Sequence, residues 1–408
     1  MKDFAEICEY IEKNIEKAIE LEKLLTKIPA LAPENSGDGE SKKCKALEEF
    51  LCANGITDFQ HFDAPDIRVT SGVRPNLVAT INGKTSKNLW IMSHLDVVPA
   101  GEQSLWETPP FEAVQKNNKL YGRGTEDNQQ GIVCSVMAAL ALKALKITPE
   151  YTIKLLFVAD EEVGSKYGIQ YLLEKHKLFN KEDLIITPDG GDPKGETIEI
   201  AEKNLLWLKV QTHGVQAHGS TPDEGVNAHL ASCALALKIN SLEKELSERN
   251  KLFVPNRSTF QPTKKESNIP NVNTIPADDV IYFDCRILPC YTLDDVRKKI
   301  KICCDEVSAE YGVTFTLSEE QAVESPSTSE SCEVVQVLGD AVRRVLKIEP
   351  RVVGIGGGTV AAYLRKAGYD AVVWSKHDET MHQPNEYCVI QNLIDESKVL
   401  ASVMIKNT

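Results

Sequence analysis

Apolar residues recur at three- and four-residue steps from Phe4 through Ile7, Ile11, Ile15, Ala18 and Leu21 to Leu25, which predicts one amphipathic helix that Pro29 stops. From about residue 75 to 190, short apolar runs alternate with helix-like segments. NLVATI (76–81), LWIMSH (89–94), TIKLLFVAD (152–160) and DLIITPD (183–189) read as strands, and residues 128–146 and 165–178 read as helices. Such alternation predicts an α/β fold: a mostly parallel sheet with helices covering both faces.

After residue 204 the texture changes. LLWLKVQTHG reads as a strand, 225–248 as a long helix and the stretch to about 275 as a loop; VIYFDCRI (280–287), a helix over 293–310 and VTFTLS (313–318) follow. Two strand-helix-strand passages suit a compact α+β domain with its own sheet. ESPSTSES (324–331) reads as a linker, after which a helix from Val334 to Val345, a glycine-rich turn, the strand DAVVWS (370–375) and a final helix resume the α/β texture. The expected organisation is a catalytic domain in two parts, 1–203 and 321–408, interrupted by an inserted domain over 204–320.

A length of 408 residues is enough for such an arrangement and excludes a single small module. Against 46 Lys and Arg stand 60 Asp and Glu, a net charge of −14 with no basic block, so neither nucleic acid nor an anionic membrane is expected as a partner. No apolar run reaches the ~18 residues of a spanning helix, and no apolar signal stretch opens the chain, so a cytoplasmic location is expected. The eleven cysteines are scattered without a CxxC pair, which fits reduced thiols in core positions better than disulfides or a cysteine zinc site.

The chemistry is concentrated at the ends of predicted strands, where open α/β sheets form their binding crevices. SHLDVVP (93–99) carries His94 and Asp96 two apart, on one side of a strand. YGRGTEDNQQG (121–131) places Asp127 between a glycine-rich loop and a helix. ADEEVGS (159–165) puts Asp160, Glu161 and Glu162 after an apolar strand; TPDGG (187–191) supplies Asp189, with Asp192 as a competitor three residues on; HDETMHQPNE (377–386) supplies His377 and His382. Each carboxylate alone could cap a helix. Gathered at one sheet edge, several of them would repel one another unless cations neutralise them, and mixed imidazole and carboxylate donors suit zinc, with cobalt or manganese as alternatives.

The ordered set SHLDVVP, GRGTEDNQQG, DEEVGS, AHGSTP, NVNTIP, FDCRILP, GGGT and MHQPNE resembles the M20 family of metallopeptidases and amidohydrolases, over nearly the whole chain. The family includes succinyl-diaminopimelate desuccinylases, acetylornithine deacetylases, aminoacylases, glutamate-releasing carboxypeptidases and carnosinase-like dipeptidases. The resemblance implies a zinc-exopeptidase-like catalytic domain with an inserted lid and dimerisation domain, a homodimer through that insertion, and two divalent metal ions. Asp127 would bridge the metals, His94 and Asp189 complete one site, Glu162 and His382 the other. Glu161 would be the catalytic base and Asp96 the carboxylate orienting His94.

By the same resemblance His218, Asn273 and Arg286 bind substrate, His218 acting on the partner subunit's active site, with the lid closing over the intermediate. Gly358 and Thr359, in the glycine-rich turn before a helix, belong to a pocket for the substrate carboxylate. His213 and His229 match nothing essential and are expected to be structural. The activity expected is hydrolysis of an amide or peptide bond in a small or peptide substrate with a free carboxylate, with succinyl-diaminopimelate or acetylornithine deacylation as a narrower alternative. A catalytically silent metal- or amino-acid-binding homologue is the reading from another class, disfavoured because every ligand and the base are present.

Overall fold

The computed structural model describes residues 2–406. At its centre is an eight-stranded sheet in the order Phe59–His61, Leu77–Ile81, Thr152–Val158, Asn88–His94, Leu184–Gly191, Ala371–Ser375, Thr197–Glu202 and Arg351–Ile355. The four strands from Thr152–Val158 to Ala371–Ser375 are parallel. Their runs are apolar and buried on both faces, as a helix-covered parallel sheet demands.

The sheet as a whole is mixed rather than mostly parallel. Leu77–Ile81 runs antiparallel to Thr152–Val158, Phe59–His61 antiparallel to Leu77–Ile81, and Thr197–Glu202 antiparallel to Ala371–Ser375. For Leu77–Ile81 the reason lies in the connection 82–87 to Asn88–His94, which is too short for the crossover a parallel strand needs and so sends the chain back in the opposite sense.

Two further expectations change. The predicted first helix is two, Lys2–Lys13 and Ile15–Thr26, broken at Asn14, whose side-chain amide donates to the Tyr10 carbonyl at 2.8 Å. Asparagine offers the backbone this local alternative to a continuing helix. The expected helix over 165–178 is shorter, Ile169–Lys175, because a tight turn at Glu161–Val163 and a loop precede it.

Contacts divide the chain into two compact units. The first runs up to Ile200 and resumes over Thr328–Val353 and from Thr359 onward; the second is Ala201–Ser327 with Gly354–Gly358. The second unit has an antiparallel sheet ordered Thr259–Lys265, Asp278–Ile287, Asn204–His213, Thr314–Val323, and the helices Ala228–Glu245 and Leu293–Tyr311. Alternate residues of Asn204–His213 are buried, and Leu206, Leu208 and Val210 pack with Leu235, Ile239, Phe283 and Ile300. Among the described residues no helix is long and apolar enough to cross a membrane.

Candidate metal centre

His94 ends the strand Asn88–His94, and its neighbour in register is Val158, so the loop after Val158 begins beside it. That loop carries Glu161 and Glu162. The next strand of the sheet, Leu184–Gly191, carries Asp189 near its end. Asp127 sits in a widened, non-helical turn over Thr125–Gln129 that leads into the buried helix Gln130–Leu145, and His382 takes a left-handed conformation in the loop before Tyr387–Val389. Strand ends and the start of one buried helix therefore converge on one place, within the first unit.

Asp127 lies between two imidazoles. Its Oδ1 is 2.9 Å from His94 Nε2 and its Oδ2 is 3.1 Å from His382 Nε2. His94 Nε2 is also 3.5 Å from Asp189 Oδ1, and His382 Nε2 is 3.1 Å from Glu162 Oε2. Donor atoms of His94, Glu161 and Asp189 lie within 4.8 Å of one another, as do those of His94, Asp127 and Glu162. The geometry thus contains two overlapping groups with His94 in common.

The charges are strongly coupled. Burial disfavours a charged His94 imidazole, yet the Asp189 and Asp127 carboxylates outweigh it and hold its pKa well above the ordinary value. His382, bonded to Asp127 and Glu162, is pushed up to about 10. Asp127 is drawn well below its ordinary range against the effect of burial, by its bonds to His382 and His94. Burial raises Glu161, Glu162 and Asp189, and neighbouring carboxylates add to the rise. A knot of buried carboxylates that draws positive charge onto His94 and His382 is one that a divalent cation satisfies.

The donor set fits such a cation: two imidazoles and several carboxylates without thiolate match zinc or a similar borderline metal. One buried carboxylate oxygen, Glu162 Oε1, has no hydrogen-bond partner among the described residues, an arrangement that a metal would relieve.

The surroundings fix these groups. His94 Nδ1 faces the Asp96 backbone carbonyl at 3.0 Å and the Asp96 carboxylate at 3.5 Å. The two Asp96 oxygens accept the backbone N–H groups of Glu161 and Glu162, each at 3.0 Å. Asn128 Nδ2 donates to Asp189 Oδ1 at 2.8 Å. Glu386, fully buried, accepts from the amides of Gly124, Glu126 and Asp127 at 3.0–3.2 Å through one oxygen and from Arg123 Nη1 at 2.5 Å through the other. Glu386 and Asn128 were not singled out from the sequence, because they act on backbone or through an amide. Their proximity in sequence to His382 and Asp127 was the available signal.

Other candidates fall elsewhere. Asp192 caps its own turn, accepting from Lys194 N, Thr197 N and Thr197 Oγ1, and is not part of the cluster. His377 is buried, accepts from the Glu379 amide at 3.3 Å through Nδ1, and has no partner at Nε2 among the described residues. His213 is held by Asp278 and Thr316, and His229 accepts from Lys265.

The second unit brings its own candidates into pairs. His218 is exposed, bonded to Ser220, and opposite Thr274 in a two-stranded ladder, so Asn273 is its near neighbour. Arg286 donates through Nη1 to the Gly356 carbonyl at 2.6 Å, which ties it to the glycine-rich turn containing Gly358. Its Nε and Nη2 are engaged by Asp284 at 2.7 and 3.1 Å, so the guanidinium already holds a carboxylate of this chain. Thr359, in the first unit, caps the helix Val360–Lys366 by accepting from Ala361 N at 3.2 Å.

The comparisons with known proteins agree on one family. The model of peptidase family M20/M25/M40 matches residues 90–406. An uncharacterized metallohydrolase of Methanocaldococcus jannaschii is 40% identical over 96% of this chain and 99% of its own. A succinyl-diaminopimelate desuccinylase of Nitratiruptor sp. is 25% identical over 91% of this chain and 94% of its own. Among solved structures, aminopeptidase PepT of Bacillus cereus superposes with a TM-score of 0.79 at 20% identity, covering 96% of this chain and 98% of that one. With its carboxylate and imidazole cluster at the strand ends and a match spanning most of its length, the chain belongs to the M20/M25/M40 peptidase family and is a metallohydrolase.

Proposed function

We propose that the protein is a dinuclear, zinc-dependent hydrolase of an amide or peptide bond in a small substrate with a free carboxylate. The observation that carries this reading is Asp127, with one carboxylate oxygen toward His94 and the other toward His382. A carboxylate presented in this way is suited to bridging two cations. His94 and Asp189 would then hold one metal, and Glu162 and His382 the other.

Metal ions in these positions supply Lewis-acid polarisation of the scissile carbonyl and activation of a water. The chain's own groups do the rest. Glu161, on the same turn as Glu162 but outside the His382 pair, takes the proton of the attacking water and delivers it to the leaving nitrogen. Without metal, burial raises its carboxyl well above the ordinary range, with Asp189 and Glu162 adding. Asp96 fixes the turn through two backbone N–H groups and orients His94. His218, Asn273 and Arg286 are assigned to the substrate, Arg286 only on releasing the Asp284 carboxylate it now holds, with Gly358 and Thr359 at the substrate carboxylate. A homodimer through the second unit completes the proposal on the likeness of its motifs, and light scattering giving twice the chain mass checks it.

A narrower reading, removal of an N-succinyl group from an amino acid, is favoured by the desuccinylase among the relatives. The purified protein, loaded in turn with zinc, cobalt or manganese, would be assayed against dipeptides, N-acetyl and N-succinyl amino acids. Metal-dependent release of an amine from any of them supports the hydrolase, and the preferred acyl group separates the two readings. Two bound metals with no turnover across the panel would refute both.

A further inference from the structure

A buried arginine lies next to this centre without belonging to it. Arg74, in the short strand Val73–Arg74, is wholly buried. Its Nε donates to Glu40 Oε2 at 2.6 Å and its Nη2 to the other Glu40 oxygen, a two-armed pair. The remaining arm, Nη1, forms an ion pair with Asp160 Oδ1 at 3.1 Å, outside hydrogen-bond geometry, and lies 3.7 Å from Asp66 Oδ2. Glu40, also fully buried, reaches the same residue from its other side, since Glu40 Oε1 accepts the Asp160 backbone N–H at 3.3 Å.

Asp160 is the residue before Glu161. It holds a left-handed conformation, φ 69°, which is uncommon for a non-glycine residue although aspartate tolerates it better than most. The surroundings here hold its N–H, its carbonyl and one carboxylate oxygen. The Asp160 carbonyl accepts from Ser165 N at 2.6 Å, and Asp160 Oδ2 accepts from Tyr167 N at 3.0 Å. Two residues after Arg74, Asn76 closes the same loop: its Oδ1 accepts from Ala159 N at 3.2 Å and its Nδ2 donates to the Tyr167 carbonyl at 2.9 Å. The segment 159–167 is therefore gripped at both ends by Asn76 and near its start by the Arg74–Glu40 pair, while Asp96 holds its middle through the amides of Glu161 and Glu162.

We infer that Arg74, acting through Glu40 and Asp160, is a positioning residue for the turn that aims Glu161 at the reacting water. This rests on the proposed role of Glu161 as base. A guanidinium suits the task because two of its arms fix the Glu40 carboxylate by hydrogen bonds while the third keeps a charge beside Asp160, a combination an ammonium does not offer. The brace reaches no metal ligand directly. It sets the direction in which the chain leaves Asp160, and a base displaced by about an ångström loses turnover before the substrate loses affinity.

The test is Arg74→Lys, which keeps the charge and removes the fork. Hydrogen exchange is followed in peptides covering residues 160–165, together with zinc content, kcat and KM. The expected result is exchange at least tenfold faster in those peptides, with the strand Thr152–Val158 unchanged, zinc content as in the unaltered protein, kcat lower by tenfold or more and KM within twofold. Unchanged protection of the turn in a folded variant overturns the inference whatever the activity. So does a kcat loss that only tracks lost zinc, since Arg74 would then serve the metal ligand and not the base. Should Arg74→Lys fail to fold, Glu40→Gln, which keeps an acceptor for the arginine, is read in the same way and must show the same pattern. An unaltered protein that hydrolyses nothing in the panel refutes the proposed function, whereas the exchange measurement still decides the brace.

Discussion

Glu161 and Glu162 are adjacent in sequence and near in space, yet their surroundings differ. Glu162 is bonded to His382, while Glu161 is not. Glu161→Ala is expected to keep both metals by elemental analysis while kcat falls roughly 10²–10⁴-fold; full turnover in that variant would remove Glu161 as the base. A second residue makes a prediction away from the reaction. Glu22 is fully buried, and neither of its oxygens has a hydrogen-bond partner among the described residues. Burial, helped by Glu386, pushes its pKa well above 4.5. The folded state therefore binds this proton more tightly than the unfolded chain. The stability linked to it is complete below about pH 4.5 and is lost as pH rises through the folded value. Glu22→Gln should accordingly melt higher than the unaltered protein by a margin that widens between about pH 5 and pH 8. A margin that is the same at both pH values would contradict it. Residues of this kind escape a sequence reading, because Glu22 is one of many glutamates in an amphipathic pattern and nothing local marks it as buried. Asp127, Glu161 and His382 are legible because metal-binding residue types recur in short motifs after strands.

At the scale of elements, the parallel strands were read from their apolar runs, and several of the remaining strands were not. Thr259–Lys265 has its last five residues exposed and a proline within it, so it shows no alternation to read. Thr197–Glu202 and Arg351–Ile355 are short and flank turns, and only sheet pairing makes them strands. The helix Ser41–Ala53, which places Glu40 at its start, was also missed, since its buried face includes Lys43 and its apolar stripe is short. Close packing between elements gives a direct test. A Cβ added to Gly191 would lie 2.0 Å from the Ser375 carbonyl oxygen of the neighbouring strand. Gly191→Ala should force apart the strand that carries Asp189 and the one beside it, costing roughly 1–3 kcal/mol or more and lowering the melting temperature by several degrees. Gly357→Ala, whose added carbon meets nothing nearer than 3.6 Å, should melt like the unaltered protein. Equal melting of the two variants would show that the strands can separate without cost.

For the whole molecule, the convergence of carboxylates makes folding and metal binding one equilibrium. A ligand that binds only the folded state adds RT ln(1 + [L]/Kd), about 2.7 kcal/mol at one hundred times Kd. Chelation should therefore lower the melting temperature as well as abolish turnover, and restored zinc should recover both; melting unaffected by chelator would mean that the carboxylates are neutralised by the chain alone. The sequence by itself determined the α/β class, the presence of a second α+β unit and the motifs holding His94, Asp127, Glu161, Glu162, Asp189 and His382. It could do so because periodicity and residue type are local properties of the chain. Tertiary structure alone decided which strands run antiparallel, that Asp127 lies between the two imidazoles, that Arg286 is already engaged by Asp284, and that Arg74, Glu40 and Glu386 brace the site. Those depend on contacts between segments tens to hundreds of residues apart, where burial and hydrogen-bond geometry, and not local pattern, set the outcome.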